Sequence, residues 1–355
     1  MDGVRPLGQW LRPTLADLTV GRDNNFNLLR FVAASIVLFS HCYPLTGHFA
    51  DEPLAIASGG LTDIATIGVT IFFAISGFLI AQSVTRSRSL LLFAKSRALR
   101  LLPALALSTV FCVFVLGPIA TELSAHAYFT NPRTWRFLFH TIALNPQGDL
   151  PGVFVRNVYP STLNGSLWTI PVEAWCYAAL AIAALIGLVK RRLALSLVLV
   201  AGSICFRFFE PAVRALVPFG TVYTTPYLIG IFFLGTICFL YRDRVPVSLP
   251  AGAMVALLAA VGLKTSFVGY AYYLGIGYLA LCFAYHPRLR VEWFLWLGDY
   301  SYGIYVFAFP VQQFLVWWLG ISSPMTLFVL SMPVTLLLAM ISWHFVEKPA
   351  LALKG

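Results

Sequence analysis

FNLLRFVAASIVLFSHCYP, Phe26 to Pro44, reads as a membrane-spanning helix that carries a cation and an imidazole. Arg30 stands in its first turns and His41 lies towards its other end, with ten residues between them. Eleven steps at the α-helical rise separate the two by roughly 16 Å along the axis, about half the thickness of a hydrocarbon core. Eleven residues is also close to three whole turns, so both side chains project from nearly one face. Charged groups are costly in lipid, and those that occur there usually face a bundle interior or a wet cavity. Taken singly, each residue has a plainer explanation: Arg30 can reach back to the headgroups, and His41 can sit at the interface. Taken together, they point to a polar pathway through a helical bundle.

The rest of the chain agrees with a membrane setting. Of its 355 residues, 59% are hydrophobic and 11% charged, which excludes an ordinary soluble domain. The fold expected is all-α and polytopic. Ten apolar segments are long enough to span: about 26–44, 64–84, 101–120, 167–189, 192–209, 225–241, 249–265, 267–285, 295–319 and 323–345. An even count returns both termini to one side. Lys and Arg orient the chain. One set of polar ends, including Arg5, Arg12, Arg22, Lys95, Arg97, Arg100, Lys190 and Lys354, holds seventeen of them; the other, with Arg133, Arg136, Arg156, Arg214 and Lys264, holds five. That asymmetry places both termini in the cytoplasm. It also accounts for the net charge of +10 without a nucleic-acid partner. The organisation expected is a cytoplasmic segment 1–25, a ten-helix membrane domain 26–349 and a cytoplasmic tail 350–355. Within the domain lies an external region of about 118–166, where NPRTWRFLFHTIALN (Asn131 to Asn145) suggests an interfacial helix. No cleaved signal peptide is expected. The six cysteines are scattered singly with no metal-ligand spacing, and they read as small buried hydrophobes.

Three further groups of residues can carry chemistry. In KSRALRLLPAL (Lys95 to Leu105), Arg97 and Arg100 share a helix face, and two guanidinium forks at that spacing suit a phosphate or pyrophosphate; positive-inside anchoring is the plainer alternative. In SLWTIPVEAWCY (Ser166 to Tyr177), Glu173 sits about six residues inside the fourth span, at a depth comparable to that of His41. A carboxylate there would hold the imidazole tautomer and raise its basicity; a satisfied structural hydrogen bond is the other reading. In LGDYSYGIYVFAFPV (Leu297 to Val311), the tyrosines include Tyr302 and Tyr305, and tyrosines near a span terminus are commonly interface anchors. His344 and Glu347 read as anchoring, with a helix stop before Pro349.

These motifs, in order, resemble the membrane acyltransferases of the acyltransferase-3 family: Arg30 and His41 in the first span, SGFLI (Ser76 to Ile80), RALRLLPAL (Arg97 to Leu105), SLWTIPVEAWCY, SYGIY (Ser301 to Tyr305) and FVEKP (Phe345 to Pro349). The resemblance runs from Asn25 to Pro349. It implies a ten-helix domain that uses acyl-CoA as a cytoplasmic donor substrate, without a permanently bound cofactor or metal. It further implies His41 as the catalytic histidine, Arg30 as its paired arginine and Glu173 as the acidic residue of the fourth span. Arg97 and Arg100 would lie in the donor-binding region, and Ser76, Tyr302 and Tyr305 are further candidates within their motifs. Members often carry a histidine or other polar residue shortly after SYGIY; Val306-Phe307-Ala308-Phe309-Pro310 stands there instead. No fused esterase-like domain is expected, because the chain stops six residues after Pro349.

The function expected is therefore a multi-pass O-acyltransferase of the cell (inner or plasma) membrane. It moves an acetyl group from acetyl-CoA to a hydroxyl of a glycan or glycolipid at the external side, with His41 as general base or covalent relay. The alternative is a proton-coupled transporter or flippase of a lipid-linked glycan, which also needs intramembrane Arg, His and Glu. No internal repeat supports that alternative.

Overall fold

A computed structural model of the chain describes residues 13–19, 24–87, 89–208, 225–261, 266–286, 289, 291, 294 and 298–354. Arg5, Arg12, Arg22, Arg88, Arg214, Lys264, Arg288 and Arg290, which are among the Lys and Arg residues counted in orienting the chain, lie outside these residues. So do the expected span ends at 209, 262–265 and 295–297. Apart from two isolated β-bridges, the described residues contain helices and turns and no strand.

A helix stands within each of the ten apolar segments. They are α1 (Phe26–Leu45), α2 (Ile64–Arg86), α3 (Leu90–Ala120), α4 (Thr169–Leu185), α5 (Arg192–Phe208), α6 (Thr225–Leu240), α7 (Leu249–Val261), α8 (Ser266–Tyr285), α9 (Ser301–Leu319) and α10 (Pro324–Ala352). Among the described residues, four helices, α1, α2, α3 and α10, are long and apolar enough to cross a membrane. Large apolar side chains stand exposed on the outer faces, among them Leu185, Leu257, Val329 and Phe345, as expected of helices whose solvent is lipid.

The last helix corrects one expectation. Pro349 does not stop it: a π-helical turn at Trp343–Glu347 is followed by α-helix from Lys348 to Ala352. Proline is tolerated in a first helical turn, where its missing N–H would go unpaired anyway.

Close backbone approach sets the centre of the bundle. A Cβ on Gly77 of α2 would meet the Phe232 carbonyl of α6, and one on Gly235 of α6 would meet the Ala74 carbonyl of α2. The two glycines thus hold α2 and α6 backbone to backbone, the small-residue packing on which membrane helices rely. Thr236 Oγ1 donates to the Gly77 carbonyl at 3.2 Å across the same contact. Ser76, next to Gly77, is held with it.

Between α3 and α4, Pro132–Ile142 is helical where an interfacial helix is expected. Phe137 and Leu138 are buried, whereas Trp135 and Phe139 stack in the open beside Phe114 of α3. The Gly- and Pro-rich stretch from Pro146 to Pro160 forms turns and loop.

Candidate active site

Pro310, inside α9, has a consequence beyond its own helix. Having no N–H, it leaves the carbonyl of Val306, one turn earlier, without its helical partner. Two side chains take that carbonyl: Ser108 Oγ of α3 and Asn164 Nδ2, each donating at 2.8 Å. Asn164 thereby pins the loop before α4 deep inside the bundle, where Leu163, Asn164, Ser166 and Leu167 are all buried. Gly165 is the residue that lets this loop cross α9, since a Cβ there would stand 2.8 Å from the Phe309 ring. The helix α4 consequently begins at Thr169, well below the bundle surface.

Two cavities lie end to end along α1, α2 and α9. One, of about 100 Å³, is lined by Arg30, Ser76, Arg97, Arg100, Glu173 and Tyr302, among others. The other, of about 720 Å³, contains His41 together with Ser40, Asp63, Tyr159, Trp168 and Tyr273. Residue order along α2 agrees with this stacking: lining residues between 69 and 80 belong to the first cavity and those between 65 and 69 to the second. Among the described residues, Val69 and Tyr305 line both.

Two arginines of the first cavity are held by Asp299, two residues before α9. Its Oδ2 accepts from Arg100 at 2.7 Å and lies 3.3 Å from Arg30 Nη2, while Ser301 Oγ donates to Oδ1 at 2.5 Å. Arg100 also faces Glu347 Oε2 at 3.7 Å and lies over the Tyr302 ring, and Tyr302 donates to the Leu101 carbonyl at 2.9 Å. Arg100 is therefore fully engaged. Arg97 is not: its Nε donates to neighbouring Ser96, and it has no ion-pair partner among the described residues. Arg30 bonds Asn27 Oδ1 at 2.7 Å, yet its Nε is buried with no partner. Buried donors without partners call for an explanation, and a ligand is a common one. Glu173 accepts hydrogen bonds from Ser76 and from Tyr177.

Glu173 and His41 do not come together, which corrects the expectation that the carboxylate orients the imidazole. They line different cavities, and the partners of Glu173 are Ser76 and Tyr177. The reason is the buried start of α4, which carries Glu173 past the Tyr305 wall to the arginine side. His41 packs edge-on against Phe309, 5.4 Å between ring centroids, and its Nδ1 is buried without a hydrogen-bond partner. Arg30, Arg97, Arg100, Ser76, Glu173, Tyr302 and Tyr305 all line one cavity. Asp299 and Tyr177 stand within motifs singled out in the sequence without a role of their own, and Glu347 reads there as anchoring; the structure sets Asp299 and Glu347 against Arg100 and binds Tyr177 to Glu173. Carboxylates beside arginine-bearing helix ends are the signal for that pairing. Tyr302 and Tyr305 are buried rather than anchored at an interface.

Comparison with known proteins identifies the family. The sequence profile of a family described as an acyltransferase domain matches residues 23–344. The O-acetyl transferase of Shigella phage Sf6 is 32% identical over 340 residues, covering 92% of this chain and 96% of that protein. Nodulation protein 10 of Rhizobium leguminosarum bv. viciae is 29% identical over 372 residues, covering 94% and 95%. No solved structure matches. A family profile that runs through both cavities, from the start of α1 into the last turns of α10, shows that the chain belongs to the acyltransferase-3 family of membrane acyltransferases.

Proposed function

We propose that the protein carries an acetyl group across the membrane, from cytoplasmic acetyl-CoA at the arginine cavity to a hydroxyl of a glycan or glycolipid at the His41 cavity. In this reading all ten helices span and both termini are cytoplasmic. The observation that carries it is the pair of stacked cavities, one lined by three arginines and the other holding an unpartnered imidazole. The nucleotide phosphates stay at the arginine mouth and the slender pantetheine arm enters. Arg97 supplies the free guanidinium fork for phosphate, and Arg30, with Nε unpaired, faces the arm. The tyrosines and Trp168 of the larger cavity present aromatic faces with polar rims, a lining that suits a sugar.

The chemistry is one acyl transfer. His41 takes the proton of the acceptor hydroxyl as its oxygen attacks the thioester carbonyl. The C–S bond breaks, and the imidazolium returns the proton to the leaving thiolate. Glu173 then serves the donor side, holding Ser76 and Tyr177. A carrier mechanism is the weaker reading, because the family and the named phage relative are acyltransferases.

The experiment uses everted membrane vesicles from cells with and without the protein, supplied with radiolabelled acetyl-CoA. Label should enter the membrane glycan fraction only when the protein is present and the donor is on the cytoplasmic face. Equal labelling without the protein, or from the external face, would refute the reading.

A pH dependence follows at the donor mouth. Lys354, beyond the last span, has its ammonium pushed down to about 8 by burial, with the charges of Arg97 and Arg100 adding to the effect. It is cationic below that value and neutral above it. Phosphate monoesters are already ionised, with a second pKa near 6, so they do not titrate in this window. Acetyl-CoA affinity should therefore weaken as pH rises from 7 to 9, and Lys354→Arg should flatten that profile. An identical slope in the variant would remove Lys354 from the donor site.

A further inference from the structure

The separation between the two cavities is made by residues that line both. Tyr305 and Val69 face both sides. The Tyr305 hydroxyl donates to the Ser166 carbonyl at 2.8 Å and lies 2.6 Å from Thr169 Oγ1. Its ring stands edge-on to Phe72 of α2, 5.8 Å between centroids. Ser166 belongs to the lining of the His41 cavity and Thr169 to that of the arginine cavity. The phenol is thus fastened at the first turn of α4, across the line between the cavities. The arginine side is the small one, about 100 Å³ against about 720 Å³.

We infer that Tyr305, backed by Val69, is the residue that selects the acyl group by size, because whatever travels from the arginine cavity to His41 must pass between these two side chains. This rests on the donor reading above. A two-carbon acyl group at the end of the pantetheine arm passes with a small rotation of the phenol. A longer chain must displace the ring from Ser166, Thr169 and Phe72 together. A hydrophobic site discriminates single methylenes by roughly 10- to 200-fold, so two added methylenes at a wall fastened this firmly suffice for near-exclusive use of acetyl. Tyr305 is a positioning and selecting residue here, and no bond is made to it. Its hydroxyl also keeps the wall shut between turnovers, which limits water reaching the thioester from the larger cavity.

The test compares acetyl-CoA with butyryl-CoA in everted vesicles whose own glycans serve as acceptor. The readout is the ratio of butyryl to acetyl transfer, which does not depend on how much active protein each preparation holds. Tyr305→Leu should raise the ratio at least tenfold, Val69→Ala at least threefold, and Tyr305→Phe, which keeps the ring against Phe72 but loses its hold on Ser166 and Thr169, should raise it by more than twofold and by less than Tyr305→Leu. Acceptor-independent release of CoA from acetyl-CoA should rise in Tyr305→Leu as well. Should Tyr305→Leu be inactive with both donors, the ratio in Val69→Ala decides. Wild-type ratios in Val69→Ala and in any active Tyr305→Leu overturn the inference, as does loss of all transfer in both variants while they still hold acetyl-CoA. If wild-type vesicles transfer nothing from acetyl-CoA, the donor reading itself fails and the inference goes with it; a normal wild type with unmoved ratios sinks the inference alone.

Discussion

His41→Ala should abolish acyl transfer, by at least ~100-fold as loss of a general base requires, while the protein still inserts, purifies and holds acetyl-CoA. Stability should survive for a structural reason. His41 Nδ1 has no hydrogen-bond partner, so truncation leaves no buried group on the protein unpaired, and the cavity it lines is already open. Donor affinity should survive because Arg30, Arg97 and Arg100 lie on the far side of Tyr305. The measurement pairs turnover with acetyl-CoA binding on the same preparation. Turnover within a fewfold of wild type would end the role of His41 as base. Loss of donor binding alongside turnover would mean that the two cavities are not functionally separate.

Much of this site was legible in the first span alone. An arginine and a histidine eleven residues apart on an apolar helix must share a face, and the structure places each in a cavity along it. Arg97 and Arg100 followed from the same periodicity. What the spacing could not supply was depth. The fourth span was counted from residue 167 as though it began at the surface, which set Glu173 level with His41. The chain instead enters the bundle before the helix starts, because Asn164 is bound to a carbonyl that Pro310 has released. That is a contact across 142 residues, and no local pattern carries it. The proline was visible in the sequence, but the partner of its orphaned carbonyl was not. The position of Pro349 misled for a related reason: a π-helical turn before it places the proline in the first turn of the next α-helical segment, where no N–H is needed.

The same limit applies to Arg97 and Arg100, which periodicity makes equivalent and the structure makes opposite. Arg100 is bound by Asp299, faces Glu347 and lies over Tyr302. Arg97 has no ion pair among the described residues. Arg97→Gln should therefore weaken acetyl-CoA binding roughly tenfold or more, the scale of a lost hydrogen bond to a charged group of about 1.5–3 kcal/mol. Thermal stability should be nearly unchanged, and the remaining donor affinity should depend less on salt. Arg100→Gln should act the other way. It leaves Asp299 and Glu347 as buried carboxylates short of their partner, and breaking a buried pair in this manner costs about 3–5 kcal/mol. That variant should lose thermal stability first, with donor affinity following only through misfolding. The double variant Arg100→Gln, Glu347→Gln should regain much of the stability, since it removes the carboxylate left without an ion partner while Asp299 keeps Arg30 at 3.3 Å. Melting temperature and acetyl-CoA affinity, measured on all three variants, separate the two arginines. Equal loss of donor affinity in both single variants, with no difference in stability, would return them to one shared phosphate-binding pair.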